Sequence, residues 1–336
     1  MKKRLIAALL GGVVLPAYAI DPIGDEKGWS GHINLGAGFG AIETNFLSEI
    51  SGFDLGDEKI DQLGSPDDDD IGIPSLGFNI GYNFDGGKTR VQLSNIVVEP
   101  LDAGLFSQLA LIHDFGSIGT MQIAGISNLS SRVKEYADPY QSGVKRGDTD
   151  ADQSGGRFTW EKMFGSNFEI DVIARNKNID DEDSGIGDPN LTKAQRDLLD
   201  RQGDILDASV GYLFELEGGK HKLRPIIGYV DRDLDGDAMS QDGFTIGLGY
   251  TYTTSSLVWV NKLSYSDLDG DKNNPIFGEA NDADEYEIGS TLMFPGAFGL
   301  KHWMPAVGAA YSEVDSDVDF NDSSIWLIRA SMYRRF

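Results

Sequence analysis

Asp231-Arg232-Asp233-Leu234-Asp235-Gly236, with Asp242 at the twelfth place, has the residue types and spacing of a loop that wraps a hard cation. Carboxylate oxygens at alternating positions and a glycine at the sharp turn suit calcium. Asp231, Asp233, Asp235 and Asp242 are therefore candidate ligands. Asp stands where a bidentate Glu is usual, and the flanks read as strands rather than helices, so a plain Asp/Gly turn is the alternative. The string Asp-Leu-Asp-Gly-Asp recurs at 267–271, but Tyr265 replaces its first acid.

A second set of chemistry-bearing residues recurs on alternate positions of apolar-flanked segments. It comprises Arg90, Glu161, Glu169, Asp171, Arg175, Asp207, Glu215, Lys222, Arg224, Glu285, Glu287 and Arg329. Charges of both signs on one face of many strands either line water or pair with one another, because an unpaired charge in a dry interior is costly. A third set is the run Asp67-Asp68-Asp69-Asp70, within an expected loop from Glu43 to Gly72. It reads as a solvated acidic loop, or as a vestibule that concentrates cations.

Hydrolytic chemistry finds less support. The four histidines, His32, His113, His221 and His302, all fall near the same ends of their expected strands. There is no Gly-x-Ser-x-Gly elbow and no neighbouring His–Ser pair to serve as base and nucleophile. The sequence reads as a protein that is not an enzyme.

The elements that would carry these residues have a period of two. In Trp29–Ala41 the odd positions are mostly apolar and the even ones are Ser, His, Asn and Gly. The same alternation runs through Leu76–Phe84, Leu206–Leu216 and Phe244–Tyr252. Strands are expected near 28–42, 73–85, 88–98, 104–115, 118–131, 156–165, 167–177, 204–217, 220–231, 242–253, 256–267, 284–295, 299–312 and 323–336. Short Gly-, Asn- and Ser-containing links alternate with links that are mostly long and acidic, and strict alternation of this kind marks an outer-membrane barrel. The fold class is thus all-β, a transmembrane antiparallel up-and-down barrel of about 14 strands, with 12 or 16 left open by ambiguous parity at 88–98 and 104–115. One short loop helix is expected near 192–202, opened by a capping box of Thr192 and Gln195.

Both ends fit. Met1-Lys2-Lys3-Arg4, an apolar stretch to Leu15 and Ala17-Tyr18-Ala19 read as a signal peptide over 1–19, leaving a single barrel domain over 20–336. In the last strand Trp326, Ile328, Ala330, Met332 and Phe336 can face lipid, with Arg329, Ser331 and Arg335 opposite. A strand ending on Phe336 is the kind that the barrel-assembly machinery reads. Trp29, Trp259, Trp303 and Phe336 then fall near one set of strand ends, and Tyr229, Tyr265, Tyr311 and Trp326 near the other, as two interfacial girdles. This topology puts both termini in the periplasm and the long loops outside, facing lipopolysaccharide, whose phosphates divalent ions could bridge to the loop carboxylates.

The net charge is −26 over 336 residues, which argues against a nucleic-acid partner. The chain has no Cys, so it has neither disulfides nor thiolate metal sites.

The run Tyr311–Phe320 with the final strand, and the first strand from Trp29 to Phe46, resemble a family of Gram-negative outer-membrane barrels of unknown function. The resemblance implies a porin-like barrel and brings no catalytic residues. The expected function is passive diffusion of small hydrophilic solutes, biased toward cations and without a cofactor. The alternative is a surface-binding or structural barrel with a plugged lumen.

Overall fold

The computed structural model describes residues 20, 23–24, 26–55, 58–84, 86–98, 105–128 and 133–336. The expected signal peptide lies outside the described residues. Among them, fourteen strands form a closed antiparallel wall. They are β1 (Gly28–Glu43), β2 (Asp68–Asn83), β3 (Thr89–Val97), β4 (Leu105–Asp114) and β5 (Thr120–Ser127). β6 (Asp148–Glu161), β7 (Phe168–Ile179) and β8 (Gly203–Tyr212, resuming after Leu213 as Phe214–Leu216) follow. The wall continues with β9 (His221–Leu234), β10 (Gln241–Thr253), β11 (Val258–Gly270), β12 (Ala283–Met293), β13 (Met304–Ser316) and β14 (Ser323–Arg335).

Each strand pairs with its sequence neighbour, and β14 returns to β1 in a ladder from His32↔Arg335 to Glu43↔Ser324. Closure matters because hydrocarbon offers no partner for an open strand edge. The β2–β3 ladder covers only Asn79↔Ser94 to Asn83↔Arg90. Beyond it the Asn95 side chain takes over, accepting from Phe78 N at 2.7 Å and donating to Leu76 O at 3.0 Å.

Alternation decides the two faces. Leu109, Ile227 and Phe244 are each more than 60% exposed on the outside, where lipid would cover them, while Gln108, Gln122 and Thr159 are buried within. Outward aromatics mark both rims: Trp29 packs edge-on to Tyr82 at 5.3 Å, and Phe39 to Trp326 at 5.6 Å. Ten residues separate Trp29 from Phe39. At ~3.3 Å per residue and a tilt of ~40° this spans ~25 Å, the height of a lipid-facing band. The fold is that of an outer-membrane β-barrel.

The two ends differ. At one, the links are short turns, some of them tight enough to force left-handed backbone on Lys162, Phe164, Glu217 and Phe298. At the other, the long links fold on themselves. Leu47–Ile50 of the first loop pairs with Phe53–Asp54 and with Val133–Tyr136, which in turn pairs with the start of β6. The expected loop helix is present as α1 (Lys193–Arg196) followed by a 3₁₀ turn. Thr192 Oγ1 accepts from Gln195 N, and Gln195 Oε1 accepts from Thr192 N at 3.0 Å.

Candidate functional site

Two apolar clusters close over the long-loop end. In the first, Leu47, Ile50 and Leu55 of the first loop pack inside the wall on Ile42, Ile71, Ala151 and Ile179, with Val133. In the second, Tyr140, Leu191, Leu199, Met239, Val318 and Phe320 gather from four different links, with Phe46 and Phe277 beside them. Burial pushes the Tyr140 hydroxyl above its ordinary range.

Arg201 locks this cap. It donates to Glu135 at 2.9 Å, to Glu182 at 2.9 Å and to the Tyr136 carbonyl at 2.9 Å. Burial alone would lower its pKa, but the paired Glu135 and Glu182 outweigh it and the net direction is up. Lys177 of β7 reaches Glu135 at 2.8 Å, tying the inner loop strand to the wall.

Below the cap lies a cavity of about 270 Å³, lined by Asp207, Arg232, Lys262, Glu285, Glu287 and polar groups such as Thr245, Ser264 and Ser266. Its charges are paired. Arg232 of β9 donates to Glu285 of β12 at 2.6 Å, passing over β10 and β11 as a chord across that side of the lumen. Lys262 pairs with the neighbouring Glu287, and Arg175 with Asp207 at 2.6 Å. Toward the short turns, Arg157 holds Asp171 at 2.8 Å and Arg224 approaches Glu169 at 3.4 Å. Glu215 and Lys222 pair at 3.0 Å at the exposed rim.

The twelve charges expected on the inner face thus lie there, but they do not form opposed free rows. Most are neutralised along the wall. Arg90 has neutral partners, donating to Ser30 Oγ at 2.7 Å and Asn79 Oδ1 at 3.0 Å. Arg329 is buried on the same face and reaches Thr291 Oγ1 at 3.5 Å. Glu161 accepts from the backbone nitrogen of Ile20.

Two expectations need correction. Asp68, Asp69 and Asp70 are not in a free loop: they extend β2 opposite Glu43, Ile42 and Ala41. Alternation gives Asp69 the phase of buried Ile71, while Asp68 and Asp70 are exposed on the other face. Asp67 precedes the strand.

The calcium spacing also fails geometrically. Asp231 and Asp233 belong to β9, and Asp231 lies opposite Asp242 of β10. Residues two apart on a strand are ~6.6 Å apart, too extended to wrap one ion with Asp235 beyond the strand. Among the described residues no group of three such ligands converges. Gly236 serves packing instead: a Cβ there would lie 2.4 Å from Asp200 N and 2.6 Å from Leu198 O. Gly236→Ala should therefore undock the β9–β10 turn from the 198–200 segment and speed amide exchange at Gly236 and Ala238, which donate to Asp200 and Leu198. Unchanged exchange at both amides would show that the contact is not needed.

The histidines sit by the short turns. His32 stacks on Tyr333 at 4.9 Å, His221 contacts Tyr250 OH at 2.8 Å, and His302 is exposed. A threonine hydroxyl also meets an imidazole, Thr89 Oγ1 with His113 Nδ1 at 2.8 Å, on adjacent strands at the rim.

A family model described as a protein of unknown function (DUF2860) matches residues 28–333. The chain belongs to that family. No curated protein matches it. Solved structures similar to this DUF2860 chain are outer-membrane barrels. The outer membrane channel DcaP of Acinetobacter baumannii is 11% identical, covering 98% of this chain and 100% of its own, with a TM-score of 0.44. OmpT, an outer membrane protein of Vibrio cholerae, is 8% identical over 92% and 96%, with a TM-score of 0.41. An anion-selective porin from Comamonas acidovorans is 10% identical over 93% and 100%, with a TM-score of 0.37.

Several site residues of this DUF2860 barrel lay beyond the sequence reading. Arg157 and Lys262 have the right phase in their strands and were findable by alternation. Arg232 falls one residue past the expected end of its strand. Glu135, Glu182 and Arg201 sit in loops, where no periodicity announces them.

Proposed function

We propose that the chain is a porin-like outer-membrane channel that passes small hydrophilic solutes by passive diffusion, with a bias toward cations. The observation that carries this reading is the polar chamber between the loop cap and the short turns. Its paired charges and the hydroxyls of Thr245, Ser264 and Ser266 offer hydrogen-bonding partners to a small hydrated solute. The pairs leave little net charge to select by sign, so the bias belongs to the acid outside the chamber: Asp67–Asp70 at the start of β2 and the acidic long loops. In this reading both termini are periplasmic, the long loops face lipopolysaccharide, and Phe336 is read by the barrel-assembly machinery.

The test is single-channel recording of the refolded mature chain in a planar bilayer under a salt gradient. Discrete steps with a cation-side reversal potential are expected. Replacing Asp67–Asp70 by Asn should cut cation preference at ~0.01 M salt, where the Debye length is ~30 Å, and have little effect at ~1 M, where it is ~3 Å. An unaltered reversal potential at low salt would remove the run from the mechanism. The two apolar loop clusters favour a second reading, a surface-binding barrel with a closed lumen; silence from a demonstrably folded barrel would select it.

A further inference from the structure

Ile20 is buried inside the barrel at the short-turn end, against Ala110 and Ile112 of β4, with Ala124 of β5 and Ile23 packed beside it. Small side chains at Ala110 and Ala124 leave the room it occupies. Its backbone nitrogen donates to Glu161 Oε1 at 2.5 Å, at the far end of β6. Gly24 lies beside the Asn83 side chain, and β1 starts at Gly28. Ile20 thus lies against a part of the wall up to five strands from β1.

Local charge gives this contact meaning. Glu161 lies opposite Glu169 in the β6–β7 register, and Asp171 shares their inner face. Arg157 and Arg224 serve Asp171 and Glu169. Lys162, the next cation along the chain, is exposed in the turn. Three inward carboxylates against two inward guanidinium groups leave one negative charge, and it falls on Glu161.

Ile20 is also the residue that follows Ala17-Tyr18-Ala19, the expected cleavage signal. We propose that hydrolysis of the Ala19–Ile20 bond by a leader peptidase creates an α-ammonium group that pairs with Glu161 and latches the mature amino terminus inside the barrel. Water supplies the carboxylate oxygen on Ala19 and the proton on the new amine. The proton that the nascent carboxylic acid releases is matched by the one the amine takes up, giving the ammonium form, the main species of an α-amine at neutral pH. Burying Glu161 beside Glu169 is otherwise unfavourable, so processing would complete a site that the uncleaved chain can satisfy only with a neutral N–H.

The test begins with intact mass and amino-terminal sequencing of the chain extracted from outer membranes, which should start at Ile20. The folded protein is then treated with an amine-acylating reagent near neutral pH and compared with the same protein unfolded in urea and with folded Glu161→Gln. The α-amine should react at least about tenfold more slowly in the folded wild type than in either comparison, the factor that one unit of raised amine pKa gives. The wild-type comparison stands even where Glu161→Gln does not fold. A refolded chain with one Ser added before Ile20 keeps an N–H at Glu161 but displaces the charge, and should melt at a lower temperature. A mature chain starting elsewhere, equal labelling of folded and unfolded protein, or an unchanged melting temperature in the extended chain would each overturn the proposal.

Discussion

Ile50→Asp should free the first loop from the mouth of the barrel and raise single-channel conductance several-fold. Ile50 is 4% exposed, within a cluster contributed by both the loop and the inner wall. The substitution forfeits ~2 kcal/mol of apolar burial. It also asks a carboxylate to sit among aliphatic side chains, at a further cost of several kcal/mol. The loop holds its place by a hairpin of Leu47–Ile50 on Phe53–Asp54 and a short ladder to Val133–Tyr136. Hairpins of this size are marginal without apolar cover. The wall ladders do not involve Ile50, so the barrel should remain folded and resistant to heat. Ile50→Val, at ~1 kcal/mol, should leave conductance unaltered. If the aspartate variant folds and conducts like wild type, the loop is not the element that limits flow.

Arg201→Ala should open the 180–202 loop while sparing the wall. The guanidinium is 3% exposed and joins Glu135, Glu182 and the Tyr136 carbonyl. Without it, Glu182 loses its ion pair and Glu135 keeps only Lys177. Leaving buried carboxylates uncompensated costs ~3–5 kcal/mol. That corresponds to at least about a hundredfold more frequent local opening, since ~1.4 kcal/mol is a factor of ten. Limited proteolysis of the folded protein, read by mass spectrometry, should show new cuts within 180–202. Arg201→Lys keeps the charge but not the fork, and should give an intermediate rate. Equal cutting of all three proteins would mean that the apolar cluster alone holds the cap.

Most of the wall was legible because lipid and lumen impose opposite demands on alternate residues. Leu206, Ala208 and Val210 against Asp207 and Ser209 mark one apolar and one polar face, and the alternation of short and long links decides which of them meets lipid. At β4 parity was ambiguous for a reason visible in the fold. Its inner face is largely apolar, with Ala110 and Ile112 packed on Ile20 and Phe106 on Ile126 and Ile173, and only Gln108 between them is polar. The strand ends at the mouth were read short on β2, β6 and β9 because Asp68, Asp148 and Arg232 are polar and look like loop. Pairing with β1 and β10 carries β2 and β9 past them, and pairing with the loop strand Val133–Tyr136 does the same for β6. Inner-face charges could be named from phase, but their partners could not. Arg232 and Glu285 are 53 residues apart, and no local pattern announces that they meet. The cap was the least legible part, since Tyr140, Leu199, Met239 and Phe320 look like isolated apolar residues in separate acidic loops until the barrel brings those loops together.

The seam between β1 and β14 sets a condition on biogenesis. His32 finds its partner in Arg335, almost the whole chain away, so the first strand cannot be finished until the last one has been delivered. Contacts between such distant residues are the slowest to form, because the loop they close is the longest. A chain released short of its final strand would hold every other hairpin yet present two bare edges, each able to pair with the wrong neighbour. The exposure of both edges ends only when the two terminal strands pair, so a single feature separates the finished barrel from a mispaired one: whether the ends have met.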